Sequence, residues 1–336
     1  MASFDDLIRE NKRNTVLLCV LVTLLLCALA SVIALVVVGV PETSGYARHS
    51  TSPYDSTGAA PPPLTHTLTV AVLAALAVAA VMIAFSYYGG AATVLAISRA
   101  REIRKSDDPQ LFNVVEEMTI AGNLPMPRIF VIDDTAMNAF ATGRDPRHAA
   151  VAITEGLRRR LSRDELQAVM AHELAHVRNY DIRLAMFVAV LVGLIVILAD
   201  VFARYMWWGG SSRRRSNRGG GGAIQLIVLV LALVLMILAP LFAKLIQLAL
   251  SRQREYLADA TAAGMTRHPE ALASALAKLE ADPEVLEAAN RGTAHLYIVN
   301  PFKPHERRFS ASGLFRTHPE IKDRISRLMT IARGGV

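Results

Sequence analysis

The sequence predicts a mainly α-helical integral membrane protein that carries a small α+β domain outside the bilayer. Three observations lead there: a composition too apolar for a soluble domain, uninterrupted apolar runs of membrane-spanning length, and two short β-branched runs preceding an amphipathic helix. Of 336 residues, 53% are hydrophobic and 19% charged, and mean hydropathy is +0.34; soluble domains carry about a quarter of charged residues. The chain is long enough for a sizeable core, and its apolar composition excludes disorder. Its two cysteines, Cys19 and Cys27, fall in one apolar run, which excludes a disulfide scaffold. The net charge of +7 fits basic loops facing anionic lipid.

The first element is the uncharged run Thr15 to Val40, longer than the roughly 20 residues a bilayer core requires. Arg9, Lys12 and Arg13 precede it as they would a signal peptide, but the apolar stretch continues where a cleaved peptide turns polar. Residues 41–63 are rich in Ser, Thr, Gly and Pro and read as an external loop, and 64–88 form the second crossing. Arg99, Arg101, Arg104 and Lys105 follow it, so that both flanks of this hairpin lie on the cytoplasmic side. In the soluble part, residues 89–183, Leu111, Val114, Val115 and Met118 mark a helix from Gln110 to Gly122. Gly122-Asn123 is its stop signal. Residues 128–132 and 149–154 then flank Asn138-Ala139-Phe140-Ala141-Thr142-Gly143, and the three segments predict a small sheet.

The third apolar run, within 184–203, is short and ends near Asp200, whereas the fourth, within 223–250, is long enough to span. The Arg/Gly-rich loop 204–222 lies between them. If both runs span fully, this loop faces outward against the positive-inside bias; a shallow or tilted hairpin removes the conflict. Arg213 to Arg218 carries no interleaved aromatics, so a polar linker is favoured over nucleic-acid binding. Residues 251–336 are soluble and helical, broken by Pro301, Pro304 and Pro319.

The sharpest signal is His172-Glu173-Leu174-Ala175-His176. Positions four apart share a helix face, so both imidazoles can converge on one metal ion, and Glu173 beside them is placed to take a proton from water that the metal activates. Ser162 and Glu165 form a capping box that starts the helix, and Leu166, Val169, Met170, Leu174 and Val177 supply its apolar stripe. A third ligand must come from elsewhere. Glu255 is the candidate, because it follows the fourth apolar run as the His helix precedes the third, and a hairpin returns it to the same side of the bilayer. Asp259, one turn later, can accept the free N–H of a ligand histidine and fix its tautomer. Two imidazoles and a carboxylate suit several divalent ions, with one Zn²⁺ per chain the best match.

These motifs resemble those of the HtpX-like membrane zinc metalloproteases, relatives of the CAAX prenyl endopeptidases. The likeness runs through NAFATG (138–143), HELAHVRNYD (172–181), SRQREYLADA (251–260) and FRTHPEIKDRI (315–325). It implies a zincin-like α+β metalloprotease domain with its small β-sheet beside the HExxH helix. It also implies zinc on His172, His176 and Glu255, and Glu173 as the catalytic base. From the same resemblance, Asn138, Ala139 and Phe140 belong to an edge strand along which an unfolded substrate pairs its backbone. His318 and Arg324 would then lie near the metal and contact substrate or the developing oxyanion.

The function expected is therefore a stress-response protease of the cell inner membrane. It would be multi-pass, with a cytoplasmic active site cleaving misfolded or damaged membrane proteins. Its partners would be unfolded substrates and the lipid bilayer, with no nucleic acid. Two alternatives remain: processing of a specific membrane or lipid-modified peptide, and a metal-binding scaffold or transporter without hydrolysis. Transport predicts ionisable residues at mid-membrane, and the first two runs have none.

Overall fold

The computed structural model describes residues 4–39, 64–193, 252–289, 292–301 and 319–334. The expected loops 41–63 and 204–222, the fourth run, the third run beyond residue 193, and His318 lie outside the described residues. Two compact units are present. The described part of one comprises residues 17–39 and 64–83, and the other holds the remaining described residues.

Helices α1 (Phe4–Gly39) and α2 (Leu64–Ile97) contain segments, Ile8–Ala28 and Thr65–Ile97, long and apolar enough to cross a membrane. Val16, Leu24, Leu73 and Val81 on them are exposed, an arrangement suited to lipid and costly in water. Helix α2 continues nine residues past its expected end at Tyr88. Gly89-Gly90 does not stop it, because Val94 and Leu95 in the last turns are buried against the sheet with Phe130, Ile132 and Phe140. Tertiary packing of those turns outweighs the propensity cost of two glycines, about 1 kcal/mol each.

The sheet has the order β1-β2-β4-β3. Strand β1 (Ala100–Glu102) runs antiparallel to β2 (Arg128–Ile132), which pairs parallel with β4 (Ala149–Thr154), which pairs antiparallel with β3 (Ala139–Gly143). Strands β2 and β4 coincide with the β-branched runs. Strand β1 has no alternation to announce it and owes its existence to pairing with β2. Period-two alternation gives the sheet two apolar faces. Ile129, Val131, Val151 and Ile153 join the core beneath the helices, and Phe130, Ile132, Phe140 and Ala152 form a second cluster with Tyr297.

Helix α3 (Pro109–Gly122) begins at an Asp108 cap and ends where Asn123 adopts φ 50°, a left-handed stop. After the short α4 (Glu155–Arg160), helix α5 (Arg163–Arg178) starts with the expected capping box: Ser162 N–H donates to Glu165 Oε2 at 2.7 Å, and Glu165 N–H to Ser162 Oγ at 3.3 Å. Residues 181–193 are helical (α6). Helices α7 (Arg252–Thr266), α8 (Pro269–Ala281) and α9 (Ile321–Ala332) complete the described fold. Helix α5 is central and almost wholly buried. Its Ala168, Ala171 and Ala175 and the Ala258 and Ala262 of α7 are all at most 1% exposed. Such small side chains let helices pack closely, and this seats the first turns of α7 against the histidines of α5.

Candidate metal centre and active site

His172 and His176 lie one turn apart on α5, with their Nε2 atoms 3.2 Å apart. Glu255, from the first turn of α7, brings Oε2 to 3.7 Å from His172 Nε2 and Oε1 to 3.8 Å from His176 Nε2. The three ligand atoms lie within 4.8 Å of one another. Two nitrogens each about 2.0–2.1 Å from a tetrahedral ion stand about 3.3 Å apart, so the imidazole pair is already set for one, and the carboxylate is within a small side-chain adjustment.

The other ring nitrogens explain why these two converge. His172 Nδ1 is 3.0 Å from Asp259 Oδ1, and His176 Nδ1 is 2.9 Å from Asp181 Oδ2. A carboxylate only accepts, so each Nδ1 carries the hydrogen and each neutral ring presents its Nε2 lone pair to the shared point. Two facing lone pairs at this distance repel unless a cation or a proton sits between them. Asp259 stands at the His172 Nδ1 that the sequence pointed to. Asp181 was not anticipated, although it closes the HELAHVRNYD segment. It sits just beyond α5, where Tyr180 adopts φ 61°, and the left-handed residue turns the chain back so that Asp181 meets His176.

Charge balance tests the fit of a divalent ion independently. Four buried carboxylates, Glu173, Asp181, Glu255 and Asp259, are accompanied by two buried guanidiniums, Arg254 and Arg324. Two negative charges remain, which a dication neutralises. In its absence protons take that place. Burial opposes a charge on His176, but Asp181 and Glu255 outweigh it and raise the imidazole to about 9. Burial pushes the Glu173 carboxyl up to about 7, with Glu255 adding to the rise and His176, Arg324 and the Ala141 N–H opposing it. His172, by contrast, is driven down by burial with help from Arg324, despite Asp259.

Arg324 is fully buried, its Nε donating to Asp259 Oδ2 at 2.8 Å and its Nη2 to Asp259 Oδ1 at 2.7 Å. This fork overcomes the burial that would otherwise protonate Asp259 and holds its carboxyl below the usual range. Nη1 lies 3.3 Å from Ile298 O and 3.6 Å from Glu255 Oε2. Nη2 also lies 3.4 Å from both ring nitrogens of His172, so Arg324 stands against Asp259, His172 and Glu255 at the candidate metal centre.

The expected substrate edge is buried and already bonded at its first residues. Strand β3 is at the edge of the sheet, but Asn138, Ala139 and Phe140 are at most 3% exposed. Ile298 N–H donates to Ala139 O at 3.0 Å, and Asn138 Nδ2 donates to Val299 O at 2.9 Å. The segment around Ile298, distant in sequence, thus already pairs with the outer edge at these positions. The cleft beside the histidines is lined instead by Ala141, Glu173, His295, Leu296 and Tyr297. No motif marks the 295–298 stretch. It reaches the cleft through a single backbone hydrogen bond to β3 that only the folded chain reveals.

The profile of Peptidase family M48 matches residues 105–332. A Protease HtpX homolog of Lactobacillus helveticus is 43% identical over 258 residues, covering 76% of this chain and 85% of its own. One of Levilactobacillus brevis is 50% identical over 236 residues, 70% of this chain and 78% of its own. The crystal structure of S. mikatae Ste24p superposes with a TM-score of 0.43 at 19% identity, over 80% of this chain and 59% of that one.

Proposed function

The chain belongs to peptidase family M48, and from that premise we propose a zinc-dependent endopeptidase. In this reading it is anchored by α1 and α2, faces the cytoplasm, and hydrolyses peptide bonds of misfolded or damaged membrane proteins. The observation that carries it is the convergence of His172, His176 and Glu255 within 4.8 Å, beside a Glu173 that is 2% exposed. Cytoplasmic orientation draws on the basic flanks of the first two apolar runs. Strand addition, which recognises backbone rather than sequence, suits unfolded substrates.

His172, His176 and Glu255 would hold the ion. When bound, zinc supplies Lewis acidity, polarising a scissile carbonyl and acidifying water. Glu173 takes the proton of the attacking water and passes it to the leaving amine nitrogen. A carboxyl whose affinity for protons is raised by burial is suited to both transfers. Asp259 and Asp181 hold the two imidazoles in their metal-binding tautomer, and Arg324 keeps Asp259 charged. In this reading substrate backbone pairs along β3 within NAFATG (138–143), where Ala141 lines the cleft, downstream of the Ala139 carbonyl that Ile298 engages. Because Ala139 faces outward, strand alternation turns Ala141 and Gly143 outward too.

The test is zinc content and casein cleavage by detergent-purified protein, wild type against Glu173→Gln. Zinc in both with cleavage only by the wild type is expected. Zinc with no cleavage in either would indicate a metal-binding protein that is not a peptidase.

A further inference from the structure

Asn11 lies in α1, four residues before the apolar run that begins at Thr15, and its sequence neighbours Arg9, Lys12 and Arg13 are charged. It is nonetheless 1% exposed. Its Nδ2 lies 2.8 Å from the Asn179 carbonyl at the end of α5 and 2.6 Å from Asp181 Oδ1. Both partners are pure acceptors, so the amide can face them only through its NH₂, one hydrogen to each. The other oxygen of Asp181 receives His176 Nδ1–H at 2.9 Å. A relay therefore leads from the Asn11 amide through the Asp181 carboxylate to His176, whose Nε2 faces His172 and Glu255.

The corner between Asn179 and Asp181 is not held by local structure alone. Tyr180 sits at φ 61°, a conformation that disfavours a bulky side chain. Asp181 also has a competing partner, since Arg254 Nε is 3.8 Å from its Oδ1, the oxygen that Asn11 engages. Without the amide, the carboxylate is free to swing toward Arg254 and away from the imidazole. Merely seating α1 would need only the bond to the Asn179 carbonyl. The second, charge-assisted bond to Asp181 is the one that bears on the metal site.

We propose that Asn11 is a positioning residue for the metal centre: by donating to Asp181 Oδ1 it fixes the carboxylate that orients His176, so that metal retention depends on the seating of the N-terminal turns of α1 that carry Asn11. The inference rests on reading His176 as a metal ligand. It extends the metal site to a residue far from the other motifs in sequence.

The experiment measures the zinc dissociation constant of detergent-purified full-length protein by competition with a fluorescent chelator. The proteins are wild type, Asn11→Ala, Asp181→Ala and the double variant. Loss of an outer-shell partner weakens metal binding about 10- to 100-fold, which is the expectation for Asp181→Ala. Asn11→Ala, which loosens that partner without removing it, is expected to weaken binding about threefold to tenfold. In the double variant the Asn11 change should add less than about a factor of two, because the relay is already cut. Full additivity would mean that Asn11 acts only by seating the helix, and it would overturn the proposal, as would wild-type affinity in Asn11→Ala. Asn11→Asp keeps the shape and guards against misfolding of the alanine variant. It sets carboxylate against carboxylate and should weaken zinc at least as much; unchanged affinity there also overturns the relay. If the wild type binds no zinc, the metal reading itself falls and the relay with it. If the wild type binds zinc and the Asn11 variants match it, only the relay falls.

Discussion

Zinc binding should expel protons, in a number set by the charge balance of the site. His176 at about 9 and Glu173 at about 7 are both raised in the metal-free protein, so each holds a proton below those values and each proton opposes the incoming cation. The sign follows: affinity is fully present above both values and is lost as pH falls through them. At pH 7 His176 is almost fully protonated and Glu173 about half, which gives a release of about 1.5 protons per zinc, rising toward about two near pH 6 and falling to about one near pH 8. Affinity should therefore rise at least about tenfold from pH 7 to pH 8, and about a hundredfold, or about 3 kcal/mol, from pH 7 to pH 9. Chelator competition across this range measures the slope. Calorimetry in two buffers of different ionisation enthalpy counts the protons directly. Glu173→Gln should lower the release at pH 7 from about 1.5 to about one, because an amide does not titrate. A change of less than about threefold in affinity between pH 7 and pH 8 would refute the idea that protons occupy the place of the dication.

Three further outcomes follow from the geometry. Glu173→Gln should retain zinc and lose about 10²-fold to 10⁴-fold or more in casein hydrolysis, since it keeps the shape of the side chain without its basicity; full activity would remove Glu173 from the mechanism. Glu255→Gln should reduce zinc stoichiometry, because an amide is a poorer ligand than a carboxylate, and unchanged metal content would exclude Glu255 as a ligand. Arg324→Met leaves the buried Asp259 without its bidentate partner and should cost about 3–5 kcal/mol, read as a lower denaturation midpoint, with wild-type stability contradicting the structural role. For orientation, cysteines placed at Ser56 and Ser212 and labelled in intact cells with an impermeant thiol reagent report the two loops. Labelling at Ser56 is expected, and its absence would reverse the topology.

The local parts of the site were legible in the sequence because their causes are local. A spacing of four puts His172 and His176 on one helix face, and Ser162 with Glu165 caps that helix whatever surrounds it. The apolar stripe of α3 and the strands β2 and β4 likewise follow from periodicity and β-branching. Glu255 and Asp259 required one further step, the return of the chain through a membrane hairpin, and the structure brings both to the histidines.

Tertiary structure alone decided who completes the site. The turn of Asp181 onto His176 depends on a left-handed Tyr180, and the fork of Arg324 onto Asp259 joins residues that are 65 positions apart. Asn11 reaches Asp181 across 170 positions. The hydrogen bond from Ile298 to the Ala139 carbonyl likewise joins distant segments. The physical reason is common to the last three. A buried polar group must find a partner, yet nothing in its own neighbourhood says which one, because long-range pairs leave no period in the sequence. The sequence by itself determined the chemistry this protein carries, two imidazoles, two carboxylates and apolar helices to hold them near a membrane. The packing of α3, α7 and α8 against α5 determined how those groups are aimed.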